Sequence, residues 1–169
     1  MAVKREIRTT LALDGDNEYK KALSEAQRGL RVLLLEKNDR LGKKLAITGK
    51  GRCNVTNACS ADEVIKNIPR NPRFLFSCIS AFPPERTMAF FEENGCPLKI
   101  ERGNRVFPCS DRSADVIAAL ERKLRTLGVQ RRQETVTALL TQNGKIAAVK
   151  TDTALISCDQ VILCTGGAS

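Results

Sequence analysis

The chain has 169 residues, 42% of them hydrophobic and 28% charged, with a formal charge of +9. That is enough for one domain with a real core, and no apolar run approaches the roughly 18 residues a bilayer-spanning helix requires. The opening, MAVKREIRTT, carries no apolar signal-peptide core, so a cytoplasmic location without a membrane is expected.

Seven cysteines are scattered without a C-x-x-C pair, and the chain contains no histidine. Structural zinc sites of the Cys/His kind and His-based nucleophile pairs are therefore unsupported, so no metal is assigned. The positive charge admits nucleic acid as a partner. It is spread in short clusters such as Lys43-Lys44 and Arg131-Arg132, and no aromatic-basic signature accompanies it, so a nucleic-acid role rests on charge alone.

In chain order, residues 3–13 alternate loosely and read as a strand ending at the turn signal Asp14-Gly15. Asp16 or Asn17 can cap a helix running to about Arg28, with Tyr19, Ala22, Leu23 and Ala26 at helical spacing and Gly29 closing it. Residues 31–36, RVLLLE, form an apolar strand that delivers a carboxylate to its carboxyl end. Strand, helix, strand is the outline of a βαβ unit.

The phosphate chemistry of such a unit is not intact. A dinucleotide fold wants G-x-G-x-x-G between first strand and helix, so that backbone amides can meet the pyrophosphate. Counted back from Glu36, those places fall near Leu13, Gly15 and Glu18, and only Gly15 is glycine. Asp14, Asp16 and Glu18 place three carboxylates where a diphosphate would lie. Residues 38–57 read as a long loop dense in Gly, Lys and Thr. Gly49-Lys50 resembles the end of a Walker A loop, but Gly42 lies seven residues before Gly49 and Gly51 replaces the Ser/Thr, so that reading is rejected.

Further along, Ser60 or Asp62 opens a short helix to about Ile68. A second helix covers 72–81, with Phe74, Leu75, Cys78 and Ile79 on one face. A third starts at Pro83-Pro84 and ends at Asn94-Gly95, with Met88, Phe91 and Phe90 as inward candidates. The aromatics read as core rather than ligand contacts. Residues 98–101 and 105–107 flank a hairpin candidate. Ser110 or Ser113 caps an amphipathic helix to Leu127 whose stripe is Val116, Ile117, Leu120, Leu124 and Leu127. Residues 129–133 read as the next parallel strand. Segments 135–140 and 146–150 flank Asn143-Gly144, a type I′ hairpin signal, and a third strand near 154–157 completes a small antiparallel meander. Residues 161–164 form a last buried strand before Thr165-Gly166-Gly167.

From about residue 29 onward the chain resembles the aminoacetone-oxidase-like or 3-dehydro-bile-acid-reductase-like FAD-binding oxidoreductases. The resemblance is carried by RGLRVLLLEKNDRLGKKLAITGKGRCNVTN, NRVFPCSDRSADVIAAL, VTALL with NGKIAAV, and DQVILCTGG. It implies an α/β fold, an incomplete Rossmann-like FAD-binding domain with a small antiparallel β-meander, and FAD as cofactor. In the family a substrate domain interrupts the FAD domain, and a small-molecule redox substrate is its partner.

Residue by residue, the resemblance implies that Glu36 accepts hydrogen bonds from the adenosine ribose, its rival reading being a solvated strand-end acid. Lys37, Lys43 and Lys44 lie near the phosphates, though Lys44 could equally be solvated. Thr48, Gly49, Gly51, Arg52, Cys53 and Asn54 line the flavin and pyrophosphate side, with Arg52 supplying charge. Cys53 reads as a packing residue rather than a redox thiol. The backbone of Val136 touches adenine, and Thr165, Gly166 and Gly167 turn beside the cofactor. No catalytic residue is assigned. Lys50 stands where the family usually has Gly, which crowds a close backbone approach.

Two departures accompany the resemblance. Residues 1–30 resemble the start of phage tail tape-measure or minor tail proteins, with a strand, a D-G turn and a lysine-rich helix. The chain also stops at TGGAS, where the family continues. The resulting expectation is a chimera of an atypical segment 1–30 and a truncated FAD-binding domain 31–169, impaired in cofactor binding and catalysis, with self-association through an unpaired sheet edge. The alternative is a structural or interaction protein of phage-tail origin fused to an oxidoreductase-like scaffold.

Overall fold

The computed structural model describes residues 26–164 and, as backbone, the strand Arg8–Leu13. The expected turn at Asp14-Gly15, most of the helix to Arg28, and Thr165-Gly167 lie outside the described residues. The chain divides into two compact units, residues 1–44 with 121–169, and residues 45–120.

The first unit is built on a parallel sheet. Strands β1 (Arg8–Leu13), β2 (Arg31–Glu36), β6 (Gln130–Gln133) and β10 (Gln160–Cys164) lie in the order β10-β1-β2-β6. Strand β2 reads as an unbroken apolar run because both of its faces are covered, as parallel strands require. Val32, Leu34 and Leu35 are all buried. Leu35 packs in a cluster with Val149 and Cys158, ringed by Leu33, Val136, Ile146, Ile156 and Val161. This cluster joins the sheet to an antiparallel meander of β7 (Val136–Gln142), β8 (Lys145–Thr151) and β9 (Leu155–Ser157). The β7–β8 turn has both Asn143 and Gly144 at positive φ, which the type I′ turn demands and Asn-Gly supplies.

The second unit holds two short helices' worth of unexpected structure at its start. The segment after Glu36 reads as loop, yet it contains helix α1 (Lys43–Ile47) and a single 3₁₀ turn (Thr48–Gly51). Five residues are too few for an apolar period to register, which is why the pattern does not announce them. Helix α2 (Ala61–Lys66) starts at a capping box: the Ser60 hydroxyl accepts from the Glu63 amide, and the Glu63 carboxylate accepts from the Ser60 amide. Helices α3 (Pro72–Ala81) and α4 (Pro84–Glu93) both carry proline in the first turn. Strands β4 (Leu98–Glu101) and β5 (Arg105–Pro108) form the expected hairpin. The two-residue strand β3 (Thr56–Asn57) adds to β5 and makes a second antiparallel sheet that the sequence pattern does not reveal.

Helix α5 covers Ser113–Thr126. Its stripe is as expected, with Val116, Leu120 and Leu124 buried, and Ala119 fully buried beside them. Ser113 is buried, and its hydroxyl donates to the Ala46 carbonyl at 3.0 Å.

One core expectation is overturned. Helix α3 buries none of its residues, Phe74 is 83% exposed, and Cys78 is exposed. Of the expected face Phe74, Leu75, Cys78 and Ile79, the neighbouring helix α2 and the rest of the described chain leave Leu75 and Ile79 only half-buried and cover neither Phe74 nor Cys78. In α4, by contrast, Phe91 is buried and Phe90 half-buried.

Candidate functional site

In the first unit the carboxyl ends of the parallel strands line up. Gln133 of β6, Glu36 of β2, Leu13 of β1 and Cys164 of β10 stand in one row across the sheet. The chain steps outward from β1 to β2 and β6 on one side and places β10 on the other, so the order reverses between β1 and β10. In open α/β sheets ligands bind outside the carboxyl ends at such a reversal.

Glu36 ends β2 on the same pleat face as Val32 and Leu34 and is only 3% exposed. A buried carboxylate needs hydrogen bonds to stay there. Its Oε1 receives two, from the Asn38 amide at 2.8 Å and from Asn38 Nδ2 at 2.7 Å. Its Oε2 accepts none among the described residues.

Asn38 is a hub that sequence reasoning missed. Its Oδ1 accepts from Lys43 Nζ at 3.1 Å. Lys43 in turn bridges to Asp39 at 3.0 Å, and hydrogen bonding from this ammonium is the main reason the Asp39 carboxyl is held below its ordinary range. Arg131 reaches from β6 to the carbonyls of Asn38 and Asp39, with its Nη2 at 3.3 and 2.8 Å. The turn after Glu36 is thus fixed from three directions. Lys37 and Lys44 are exposed. Val136 packs its side chain into the core cluster and pairs with Thr151 at the start of β7.

The second unit contains the loop Thr48 to Asn54. Gly49 (φ 55°, ψ 34°) and Lys50 (φ 56°, ψ 42°) are both left-handed, Gly51 has φ 83°, and Cys53 has φ 59°. A Cβ at Gly49 would stand 3.1 Å from the Asn54 amide nitrogen and 3.4 Å from Phe107 Cε1, so glycine is required both for the conformation and for the space. The turn closes on itself through the Arg52 amide to the Gly49 carbonyl at 3.2 Å and the Cys53 amide to the Thr48 carbonyl at 3.1 Å. Cys53 is buried, as a packing residue would be, while Gly49, Lys50 and Asn54 are exposed.

Arg52 is gripped by its neighbours. Its Nε donates to Asp111 Oδ1 at 2.8 Å, and its Nη2 donates to Asp111 Oδ1 and Glu101 Oε1, each at 2.5 Å. Its guanidinium lies over the buried Phe107 ring, 4.1 Å from the centroid. Lys99 completes the cluster at 2.6 Å from Asp111 Oδ2 and 3.4 Å from Glu101 Oε1. Hydrogen bonding from Arg52 is the leading cause that lowers the Glu101 carboxyl, and hydrogen bonding from Lys99, then Arg52, lowers that of Asp111. Arg52 and Lys99 are raised in return, chiefly through Glu101 and Asp111 respectively. Glu101, Phe107 and Asp111 are given no role by the sequence reading, although Phe107 and Asp111 lie in the matching piece NRVFPCSDRSADVIAAL. Their pairing with Arg52 spans 49 and 59 residues for the two acids.

Of the residues singled out, Glu36 and Lys43 meet through Asn38 in the first unit. Thr48, Gly49, Gly51, Arg52, Cys53 and Asn54 share one loop in the second.

The parallel sheet and its order define a Rossmann-like domain of mixed α/β type. The chain belongs to the family described as "HI0933-like protein Rossmann domain", whose model matches residues 20–169. The match takes in residues 20–30, part of the segment 1–30 expected to be atypical for the family. Among curated proteins, the chain is 31% identical to the 3-dehydro-bile acid delta(4,6)-reductase of Clostridium scindens, covering 81% of this chain and 33% of that protein. It is 25% identical to the ribosomal RNA dihydrouridine synthase of Escherichia coli, covering 85% and 35%. The chain therefore spans about a third of the length of these relatives. Among solved structures it resembles Thermovibrio ammonificans THI4, with a TM-score of 0.61 at 13% identity over 95% of this chain and 57% of that one. Among the described residues no helix is long and apolar enough to cross a membrane.

Proposed function

We propose that this chain holds FAD for an oxidoreductase acting on a small molecule. The observation that carries the reading is Glu36: a carboxylate 3% exposed, at the carboxyl end of β2 beside the reversal in strand order, with Oε2 left without a partner among the described residues. Two ribose hydroxyls are the donors such an oxygen suits.

In this reading Asn38 aims the Glu36 carboxylate, and Lys37, Lys43 and Lys44 supply positive charge near the phosphates. The backbone of Val136 meets adenine. The loop from Thr48 through Gly49, Gly51, Arg52 and Cys53 to Asn54 presents backbone toward the flavin and pyrophosphate, and Thr165, Gly166 and Gly167 turn beside them. When bound, the flavin supplies the redox step, while the protein supplies position and electrostatics. Residues 1–30 act as an atypical opening segment and 31–169 as the FAD-binding portion. The carboxylates of Asp14, Asp16 and Glu18 oppose the diphosphate and weaken binding and catalysis. The β10 edge, where Leu163 is exposed, offers a route to self-association.

The two curated relatives are named for different substrates, a bile acid and a ribosomal RNA. We therefore assign to the segment they share the cofactor rather than the choice of substrate.

The test is a fluorescence titration of the purified chain with FAD and with FMN, which lacks the adenosine. FAD binding is expected, with Glu36→Gln weakening it by about tenfold, the loss of one charge-assisted hydrogen bond. The same variant should leave FMN binding unchanged. Absence of FAD binding at millimolar concentration, or equal losses for FAD and FMN, would refute the reading.

A further inference from the structure

We infer that Arg52 is a positioning residue, a clamp that holds the Thr48 to Asn54 loop in its left-handed form, and does not serve as an anion ligand. The link to FAD rests on the reading above; the clamp itself does not.

A run of left-handed residues does not persist unaided when one of them is lysine, because each L-residue there costs about 1–2 kcal/mol. Something must over-determine the loop. The turn's own bonds, from the amides of Arg52 and Cys53 to the carbonyls of Gly49 and Thr48, close it locally. Beyond the backbone bond from the Val55 amide to the Val106 carbonyl at 2.8 Å, the Arg52 side chain ties the loop to the rest of the unit. It binds β4 through Glu101, the turn after β5 through Asp111, and lies on Phe107 of β5. Arg105 lies over the same ring at a longer 5.7 Å.

The charge balance speaks against a ligand role. Two cations, Arg52 and Lys99, face two carboxylates, Glu101 and Asp111. The Nε and Nη2 donors of the guanidinium are engaged by these partners, and a phosphate approaching that edge would have to compete with both carboxylates. Arginine is the residue such a clamp needs, since its planar fork meets two acceptors while its face stacks on an aromatic ring.

The two roles predict opposite signs for one substitution. Asp111→Asn is suited to the purpose, because Asp111 sits at φ 57° and asparagine tolerates that region. If Arg52 were an anion ligand, removing a competing carboxylate would tighten FAD. As a clamp, its loosening weakens FAD by about tenfold. Arg52→Lys keeps the charge but loses the fork, so it should weaken FAD as much as Arg52→Gln does. Glu92→Gln, which removes an equal charge from an exposed site on α4, should change nothing.

Amide hydrogen exchange supplies a readout that needs no cofactor. In Asp111→Asn the Arg52 and Cys53 amides should exchange at least about tenfold faster, while amides of β7 and β8 keep their rates. Tighter FAD binding in Asp111→Asn, or unchanged exchange at Arg52 and Cys53, overturns the clamp. If the parent chain fails to bind FAD, the functional reading falls and the exchange result still decides the clamp.

Discussion

Gly49 and Lys50 share nearly the same left-handed dihedrals, yet substitution should move stability in opposite directions. Gly49→Ala forces an L-residue to φ 55°, which costs about 1–2 kcal/mol. Its new Cβ would lie 3.1 Å from the Asn54 amide nitrogen, and this is backbone that cannot swing aside. Overpacking of that kind adds about 1 kcal/mol or more. Against this, alanine narrows the unfolded ensemble and returns about 0.4–1 kcal/mol. The net expectation is a loss of about 2 kcal/mol. Lys50→Gly relieves the same dihedral cost and loses a comparable unfolded-state term, leaving a gain of up to about 1 kcal/mol. Urea unfolding of both variants beside the parent measures the pair. The midpoint should fall for Gly49→Ala and hold or rise for Lys50→Gly, with unchanged slopes. A neutral Gly49→Ala together with a clear loss in Lys50→Gly would refute the left-handed assignment.

Other expectations concern the core, the ion cluster and the first loop. Leu34 is fully buried in β2, so Leu34→Ala should cost about 2–5 kcal/mol in urea unfolding, while Leu139→Ala, at a 39% exposed site, should cost well under that. Glu101 and Asp111 are held below the ordinary carboxylate range in the fold, so their contribution is present above about pH 4 and is lost as pH falls through the depressed folded values. Stability measured from pH 6 down to pH 2 should therefore drop in acid, and Asp111→Asn should flatten that drop; an unchanged profile would show the cluster contributes nothing. Replacing Asp14 and Glu18 by glycine should raise FAD affinity, and unchanged affinity would mean that this acidic loop is not the defect.

What the sequence made legible was the local chemistry. RVLLLE could be read as a buried parallel strand because its apolar run is unbroken, and its limits match the structure. Ser60 and Glu63 stand at capping-box spacing, Asn143-Gly144 demands one turn type, and Pro72 and Pro84 mark helix starts. In each case the signal and the structure it specifies lie within a few residues of each other. What stayed hidden depends on chain segments far apart. Nothing near Arg52 announces that Glu101 and Asp111 will reach it, and nothing near β5 announces the short β3 that pairs with it. Phe74 misled for a related reason: helical spacing identifies a face, but only the tertiary neighbours decide whether that face is covered.

Those hidden contacts change how the +9 charge should be understood. Cations singled out near the phosphates are already engaged, Lys43 by Asp39 and Asn38, and Arg52 by Glu101 and Asp111. Arg131 is turned onto backbone carbonyls. In the proposed FAD-binding reading, a high net charge therefore does not amount to an equal number of phosphate contacts. Groups with a single geometry stand out instead: the buried Glu36 carboxylate oriented by Asn38 in the first unit and, considered by itself, the left-handed Gly49 turn in the second. Within that turn conformation matters more than charge count, which is why a methyl group added at Gly49, 3.1 Å from the Asn54 amide nitrogen, is expected to do more damage to the fold than the loss of an exposed lysine.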